Sequence, residues 1–502
     1  MDRSPGLGVS LVASGLGQLV SALLTLLVVP LYLRLLGPEA FALIGLLSSL
    51  TALAAVLDGG LTVTALREVA RGLQARPPAD VRRILTTLQA VYAGVAVLIA
   101  VAGTAVAIRF GAAWLRNETL DDGTVTTALA VFAVTIALRW PVSLYAGTLR
   151  GAERHVPLNV LIATAAIVKH AGGAVVVAVV RTIDALVLWQ LVAGAIELAM
   201  MAAAAWRAMP PGSSRFDRRV LTETWRFTTA VGATAVFAAV LKQLDRLVLG
   251  TLRPLADLGT YAAASALPNG FALVTAPVSQ AAMPRLSTLA ARRDDAEAGA
   301  VFHTLAQIVA FAVAPGAALL AWFPEPFLVV WTGSPAMARD GALTLTLLSV
   351  ALLLNATLQM PYCMQLAYGL SWIGTVTTGA GLVVVTPLML FLVGRYGMAG
   401  GASAWLILNV GCFAAVPWLL ARHVPAAGAR RFYLVDTLPF ASGAMGACGL
   451  VWIMARWLPT AAWLAGAVAL ALGYVAVSLM CYSALRNLGL RARSFLLPSV
   501  AA

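Results

Sequence analysis

The residues of this chain that could do chemistry are cations placed inside long apolar stretches. Both of its lysines, Lys169 and Lys242, lie in such stretches, and so do Arg139 and Arg246. A cation near the centre of a bilayer costs about 2.5–3.5 kcal/mol on insertion scales, so it is kept where it meets an anion or a water-filled cavity. These four side chains are therefore the first candidates for function.

Three carboxylates accompany these cations, namely Asp58, Glu197 and Asp245. A buried carboxylate can take up a proton because burial disfavours its charged form, so each is a candidate for ion coupling. Lys242, Asp245 and Arg246 are spaced to share one helical face. Asp245 is expected to neutralise either Lys242 or Arg246. The other cation would then be left for a ligand, unless the three residues form a structural salt-bridge network. Asp58 could equally be a fixed partner for a cation or a helix end.

The elements that must position these residues are membrane-spanning helices. The chain is 61% hydrophobic and only 11% charged, and a spanning helix needs about 20 mostly apolar residues. This pattern predicts an all-α integral membrane protein with about 14 transmembrane helices. The predicted spans are 8–34, 40–66, 84–108, 124–148, 157–180, 183–206, 225–250, 256–282, 301–330, 341–367, 373–394, 398–421, 435–456 and 461–485.

The arginines between the spans predict the orientation. Most of the 34 Lys and Arg residues collect on the side of the N-terminus, as in the runs 67–83 and 215–226. Cytoplasmic loops hold such an excess, so both termini are expected in the cytoplasm. This rule also accounts for the net charge of +13, and no nucleic-acid partner is expected. The sequence has no P-loop motif and no metal-ligand spacing, so no cofactor or metal is predicted.

Two junctions resemble each other along the chain. LLGPEAFALIGLLSSL follows the first span and LRPLADLGTYAAASAL follows the seventh. Repeated bundles around a central cavity are a recurrent transporter plan. We therefore predict two six-helix bundles related by pseudo-two-fold symmetry, and two additional C-terminal helices. The predicted parts are 1–206, a cytoplasmic linker at 207–224, 225–421, and the extra helices at 435–485.

Several motifs resemble the polysaccharide flippase family of the multidrug/oligosaccharidyl-lipid/polysaccharide exporter superfamily. They are LDGGLTVTALREVARG, with Asp58, Gly60, Arg67 and Glu68; GTLRGAERHVPLN, with Gly151, Arg154 and Asn159; and LDRLVLGTLRPLADLGTYAAASALP followed by MPRLSTLAARR, with Asp245, Arg246, Gly259, Tyr261, Pro268, Pro284 and Arg285. When the fourteen predicted spans are taken together with these motifs, the resemblance to the family extends over nearly the whole chain. Ala42 departs from the glycine that the family often has after the aromatic residue.

The resemblance implies a flippase and not an enzyme. Its cargo would be an undecaprenyl-diphosphate-linked oligosaccharide, moved by alternating access from the inner to the outer leaflet of the bacterial cytoplasmic membrane. The product would serve O-antigen or exopolysaccharide synthesis. Implied partners are the polyprenyl-diphosphate-linked glycan, membrane lipids and a polysaccharide polymerase machinery.

Such a cargo gives the intramembrane residues expected roles. Lys169, Lys242, Arg246 and Arg139 would bind the diphosphate, since an arginine fork suits phosphate geometry. Asp58, Asp245 and Glu197 would serve coupling or ion pairing. Possible sugar contacts are Trp140, Gln18, Asn355 and Gln359, with Ser14, Ser21 and Thr25 as further polar residues of the first span. Helix packing, or lipid contact for Trp140, is the alternative for these residues.

Two other transporters remain open beside this interpretation. A peptidoglycan-precursor flippase would share the fourteen spans and the cationic cavity. A cation-coupled multidrug antiporter of the same superfamily would favour an acidic, aromatic cavity and about twelve spans. A membrane polymerase or ligase would need a large extracytoplasmic loop, and the gaps between the predicted spans are too short for one.

Overall fold

The computed structural model describes residues 7–54, 58, 61–74, 79–115, 119–211, 215–218, 239–457 and 474, without the side chains of residues 7–22, 63, 74, 79–80 and 112–113. These residues are almost entirely helical. The helices are α1 (Leu7–Ala54), α2 (Leu61–Gln74), α3 (Ala79–Trp114), α4 (Asp122–Arg139), α5 (Val142–Gly151), α6 (His155–Val180), α7 (Ile183–Ala208), α8 (239–252), α9 (Leu255–Asn269), α10 (Ala272–Arg292), α11 (Asp295–Trp322), α12 (Pro324–Thr332), α13 (Pro335–Thr357), α14 (Gln359–Ala367), α15 (Ser371–His423) and α16 (Leu438–Trp457).

Within the described residues, nine segments are long and apolar enough to cross a membrane. They are Leu23–Ala54, Val81–Gly111, Asp122–Gly151, His155–Val180, Ile183–Ala208, Asp295–Trp322, Pro335–Ala367, Ser371–His423 and Pro425–Trp457. The predicted all-α membrane fold is confirmed, while the count of fourteen stays a prediction. The predicted span 461–485 lies outside the described residues except for Tyr474, and so does much of 225–250.

Two long helices bend at glycines. In α1, Gly37 has φ +84° and ψ 174°, immediately before Pro38. Proline removes a backbone donor and restricts the residue before it, so the helix turns there. In α15, Gly397 has φ +59°. This bend divides α15 into two pieces, each about as long as the 26-residue α6, which matches the two spans predicted at 373–394 and 398–421.

Of the predicted span 40–66, the structure describes α1 up to Ala54, Asp58, and α2 from Leu61 onward. Two other predicted spans are broken in the structure. The span 124–148 divides into α4 and α5 around Trp140-Pro141, and 256–282 divides into α9 and α10 after Pro268. Proline and glycine at these points interrupt a pattern that is continuous in hydropathy.

The described chain forms two compact units. Unit 1 takes in the described residues of Met1–Ala266, Leu328–Gly341 and Thr378–Ala404; unit 2 takes in those of Leu267–Phe327, Ala342–Thr377 and Trp405–Ala502. The bundle boundaries predicted from the sequence stay a prediction.

The two similar junctions of the sequence pack against each other inside unit 1. Gly259 of α9 lies on the bend of α1, where an added Cβ would stand 2.0 Å from the carbonyl oxygen of Pro38. Next to this bend, the buried Glu39 carboxylate accepts the backbone N–H groups of Thr119 and Leu120, each at 3.0 Å. The junction therefore fixes the entry to α4, which carries Arg139.

The core of unit 2 surrounds α11. Phe302 of α11 stacks on Phe432, with ring centroids 5.9 Å apart, and both are buried. Phe432 begins a π-helical turn, Phe432–Thr437, just before α16. Such turns are rare and often lie at functional sites, so the polar residues around this turn are considered with the candidate sites below.

Candidate functional site

The first candidate site lies in unit 1 around an ion pair between α4 and α7. Arg139 is the last residue of α4, and its Nε donates to Oε2 of Glu197 at 3.0 Å. Both side chains are partly buried. The sequence singled out both residues but did not predict that they pair. Because a partly buried pair is desolvated, it is stable only while both charges are present.

Lys169 of α6 adds a second cation beside this pair. It is half-buried, and the charges of Arg139 and Glu197 both act on it. The structure shows no hydrogen bond or ion pair from Lys169 to any residue that it describes. The adjacent His170 meets Oγ1 of Thr25 on α1 at 3.2 Å. Polar side chains from α1, α4, α6 and α7 therefore lie close enough to interact electrostatically, and they form one polar cluster.

Close helix packing holds Lys169 in position. One turn after it, Gly172 lies against the ring of Trp189, where an added Cβ would stand 2.2 Å from the nearest ring carbon. Trp189 of α7 in turn donates its indole N–H to the carbonyl oxygen of Val168 at 3.1 Å. The sequence left open whether the small residues here serve packing or a ligand, and in the structure Gly172 serves packing.

This cluster can bind an anion. Arg139 and Lys169 carry two positive charges against one on Glu197, so the cluster is net positive. An arginine already engaged through Nε keeps further N–H donors for a phosphate oxygen. A lysine ammonium offers three donors. The cluster therefore combines a fixed cation, an unpaired cation and an internal counter-ion.

Asp58 lies in a separate cluster of hydroxyl groups in unit 1. It accepts the backbone N–H of Thr62 at 3.1 Å and the Thr62 hydroxyl at 2.8 Å, so it caps the start of α2. The hydroxyls of Tyr92 and Ser143 also donate to it. Among the described residues no lysine or arginine pairs with Asp58. Of the two roles left open by the sequence, the helix-end role is visible, and ion coupling stays a prediction.

Replacing Asp58 with alanine should lower the free energy of unfolding by about 1–3 kcal/mol, because the start of α2 loses its cap and the hydroxyls of Thr62, Tyr92 and Ser143 lose their acceptor. The measurement is the thermal midpoint of the purified protein in detergent. Asp121→Ala is the matched control, because Asp121 caps α4 through Thr124 at an exposed position. Equal shifts for the two variants would contradict a special contribution from the hydroxyl cluster.

The charged residues Lys242, Asp245 and Arg246 of unit 1 do not form the ion pair that their spacing predicted. Asp245 accepts the Tyr261 hydroxyl at 2.7 Å and the backbone N–H of Arg246 at 2.8 Å. The Arg246 guanidinium turns instead to the hydroxyls of Ser49 and Ser265, at 3.4 and 3.5 Å. The expected neutralisation of a neighbouring cation is therefore not seen in the described part of the chain, because a phenol and an amide satisfy the carboxylate.

Lys242 is exposed on α8, and none of the described residues pairs with it. Trp140, predicted as a possible sugar contact, is buried, with its ring 5.6 Å from that of Tyr92. In this conformation its ring belongs to the core of unit 1. The side chains of Gln18, Ser14 and Ser21 lie outside the described residues. Their roles stay predictions.

In unit 2 the predicted sugar contacts have protein partners nearby. Asn355 donates its amide to Oδ1 of Asn409 at 3.0 Å, which joins α13 to α15. Gln359 lies next to Cys363 on α14. The Asn355 amide is thus engaged in helix packing, which was the alternative weighed for this residue.

Unit 2 contains a buried polar cluster that was not predicted from the sequence. His303 and Gln307 of α11 both hydrogen-bond to Asp436 in the π-helical turn, the second through Gln307 Nε2 at 2.7 Å. All three are buried. A signal was present, since Asp436 is the only acidic residue after Asp340 and His303 and Gln307 are one helical turn apart. Within the described residues, no group of three or more His, Cys, Asp or Glu residues could hold a metal ion.

The chain is similar to known proteins both in sequence and in fold. The family model described as "Polysaccharide biosynthesis protein" matches residues 9–290. A proposed O-antigen transporter of Shigella flexneri is 21% identical over 392 residues, which is 78% of this chain and 91% of the relative.

Solved structures share the fold. The lipid II flippase MurJ, in an inward closed conformation, superposes with a TM-score of 0.74 at 14% identity, over 94% of this chain and 99% of that one. An inward-facing multidrug resistance transporter of the MATE family, from the MOP superfamily, gives a TM-score of 0.67 at 14% identity, over 82% and 95%.

Proposed function

Because the chain belongs to the polysaccharide biosynthesis protein family, we propose that it is a flippase for undecaprenyl-diphosphate-linked oligosaccharide. This membership confirms the resemblance drawn from the sequence motifs. The matched proteins are transporters and flippases rather than enzymes. In the proposed reaction, the protein moves the glycolipid from the cytoplasmic to the outer leaflet by alternating access, for O-antigen or exopolysaccharide synthesis.

The observation that carries this proposal is the net positive cluster of Arg139, Lys169 and Glu197. A diphosphate is an anion whose oxygens accept charge-assisted hydrogen bonds. Lys169 has no counter-ion of its own among the described residues, so it is the first ligand proposed for the diphosphate. Arg139 is the second proposed ligand. Its Nε donates to Glu197, and its other N–H groups would donate to the diphosphate of the cargo.

The same cluster supports a flippase over a multidrug antiporter. An organic cation would be repelled by two cations facing one carboxylate, since like charges at close range oppose binding. The peptidoglycan-precursor flippase remains the second candidate. It is favoured by one observation, the superposition with the lipid II flippase over 94% of this chain.

The distribution of arginines supports the proposed location. We place the protein in the bacterial cytoplasmic membrane with both termini in the cytoplasm, because that side receives most of the basic residues. A polysaccharide polymerase that receives the flipped glycolipid is the proposed partner. Lys242 and Arg246 stay proposed contacts for the diphosphate, and Asp245 stays a proposed residue for coupling or ion pairing.

Replacing Lys169 with methionine should reduce flipping at least tenfold, because the variant keeps the length of the side chain but removes its charge. Lys169→Arg should keep most of the activity, since it keeps a cation at the same position. The measurement is the fraction of lipid-linked oligosaccharide that stays on the cytoplasmic face in cells that depend on this gene. Protein level in the membrane is measured in parallel.

The cargo itself separates the candidates. Native mass spectrometry of the gently purified protein should detect a polyprenyl-diphosphate glycan, and its mass identifies the sugar. A lipid II mass would favour the peptidoglycan-precursor flippase. Unchanged flipping in Lys169→Met at normal protein level would overturn the role of the cluster.

A further inference from the structure

An open groove lies on the surface of unit 2, between the C-terminal end of α15 and the segment 428–435 that precedes α16. It measures about 590 Å³ and is lined by Trp418, Ala421, Gly428, Ala429, Arg430, Arg431, Leu434 and Val435. The activity proposed above does not use this groove, and none of its lining residues belongs to the charged clusters already described.

The floor of the groove is apolar and accessible. Trp418, Leu434 and Val435 are between 50% and 55% exposed. In a membrane protein such side chains face lipid, and an aromatic ring at a helix end is typical of the membrane–water interface. The groove can therefore hold a segment of acyl chain along its length.

The charged end of the groove is purely cationic. Arg430 and Arg431 are both exposed, and no acidic residue lines the groove. Within the described chain neither arginine forms an ion pair. The nearest acidic residue in sequence, Asp436, faces inward to His303 and Gln307. The two guanidinium groups are thus available to an anion from outside the protein.

Local contacts hold the groove in shape. The hydroxyl of Tyr433 donates to the carbonyl oxygens of Phe413 and Ala414, at 2.6 and 2.9 Å, and so ties the π-helical turn to α15. Phe432 on the same turn is anchored in the core of unit 2. Because the first two residues of this turn are fixed, Leu434 and Val435 stay on the outer surface.

We propose that this groove binds an anionic phospholipid of the surrounding leaflet. The headgroup phosphate lies between Arg430 and Arg431, and one acyl chain runs along Trp418, Leu434 and Val435. The two arginines fall on the side of the chain that the basic residues assign to the cytoplasm. Basic residues near such a surface attract anionic lipid, and an arginine fork adds bidentate hydrogen bonds to phosphate.

The test compares two double variants in lipid vesicles and by native mass spectrometry. The protein is reconstituted with equal amounts of phosphatidylglycerol and phosphatidylcholine of the same acyl chains, and the lipids that remain bound are counted. The wild-type protein should retain more phosphatidylglycerol than phosphatidylcholine. Arg430→Gln/Arg431→Gln should lose this preference about tenfold, because the groove then offers no guanidinium donors to the headgroup phosphate.

Arg292→Gln/Arg293→Gln is the matched control. Those two arginines are also adjacent, exposed, in unit 2 and at a helix end, but they do not line the groove. The control should retain the preference for phosphatidylglycerol. An equal loss in both double variants would overturn the proposal in favour of general surface attraction.

Three other results would also overturn the proposal that the groove binds an anionic phospholipid. Equal retention of both lipids by wild type would show that the arginines select no headgroup. Retention of only the polyprenyl-diphosphate cargo would assign the groove to the transport path, and a dimer lost on Trp418→Ala would assign it to a second copy of the chain. Each of these results overturns the proposal. None depends on flipping activity, so the proposal fails or stands independently of the proposed function.

Discussion

Replacing Asp436 with leucine is expected to lower the free energy of unfolding by about 2–6 kcal/mol, because two buried groups lose their shared acceptor at about 1–3 kcal/mol each. His303 and Gln307 both hydrogen-bond to this carboxylate, and all three side chains are buried in unit 2. The thermal midpoint of the purified protein in detergent measures the effect.

A double-mutant cycle separates pairing from simple loss of packing. His303→Leu alone should also destabilise the protein, because it leaves the Asp436 carboxylate buried with one partner fewer. In the His303→Leu background, Asp436→Leu should cost much less than in the wild type, since replacing both partners of a buried hydrogen bond by apolar groups can be nearly neutral. Additive effects in the cycle would show that the two residues do not depend on each other.

This cluster shows where sequence reasoning stops. His303 and Asp436 are 133 residues apart, and only the packing of the π-helical turn against α11 brings them together. The hydropathy of either segment is dominated by its apolar neighbours. A lone acidic residue in a long apolar region was the available signal, but its partner depends on which helices become neighbours.

The membrane helices were predictable for a simpler reason. A bilayer requires long apolar helices with satisfied backbone groups, so composition and length predict them directly. Boundaries were less predictable at points such as Pro141 and Pro268, where a turn interrupts an apolar run without changing its hydropathy.

The charged candidates of unit 1 were predictable as residues but not as pairs. Arg139 and Glu197 were both singled out because charge is costly in a membrane, while their contact depends on how α4 and α7 rotate against each other. Asp245 shows the converse. Its spacing to Lys242 and Arg246 favoured an ion pair, but the Tyr261 hydroxyl, on the next helix, takes the carboxylate instead.

Removing one member of the Arg139–Glu197 pair is expected to cost about 3–5 kcal/mol of stability, because the other charge stays buried without its partner. Glu197→Gln removes the counter-ion of Arg139 and leaves the repulsion between Arg139 and Lys169 uncompensated, so its thermal midpoint should fall strongly. Asp257→Asn is the matched control in the same unit. It breaks a more exposed pair with Arg253, at 3.0 Å, and should cost less than about 1 kcal/mol.

The double variant Arg139→Met/Glu197→Met then distinguishes a structural pair from a transport pair. Removing both charges should restore most of the stability, since no unpaired member of the pair remains. Flipping should stay at least tenfold below wild type, because Arg139 no longer offers donors to a diphosphate. Recovery of both stability and flipping would mean that the pair only joins α4 to α7. Loss of both would mean that the packing around these positions, and not their charge, determines the effect.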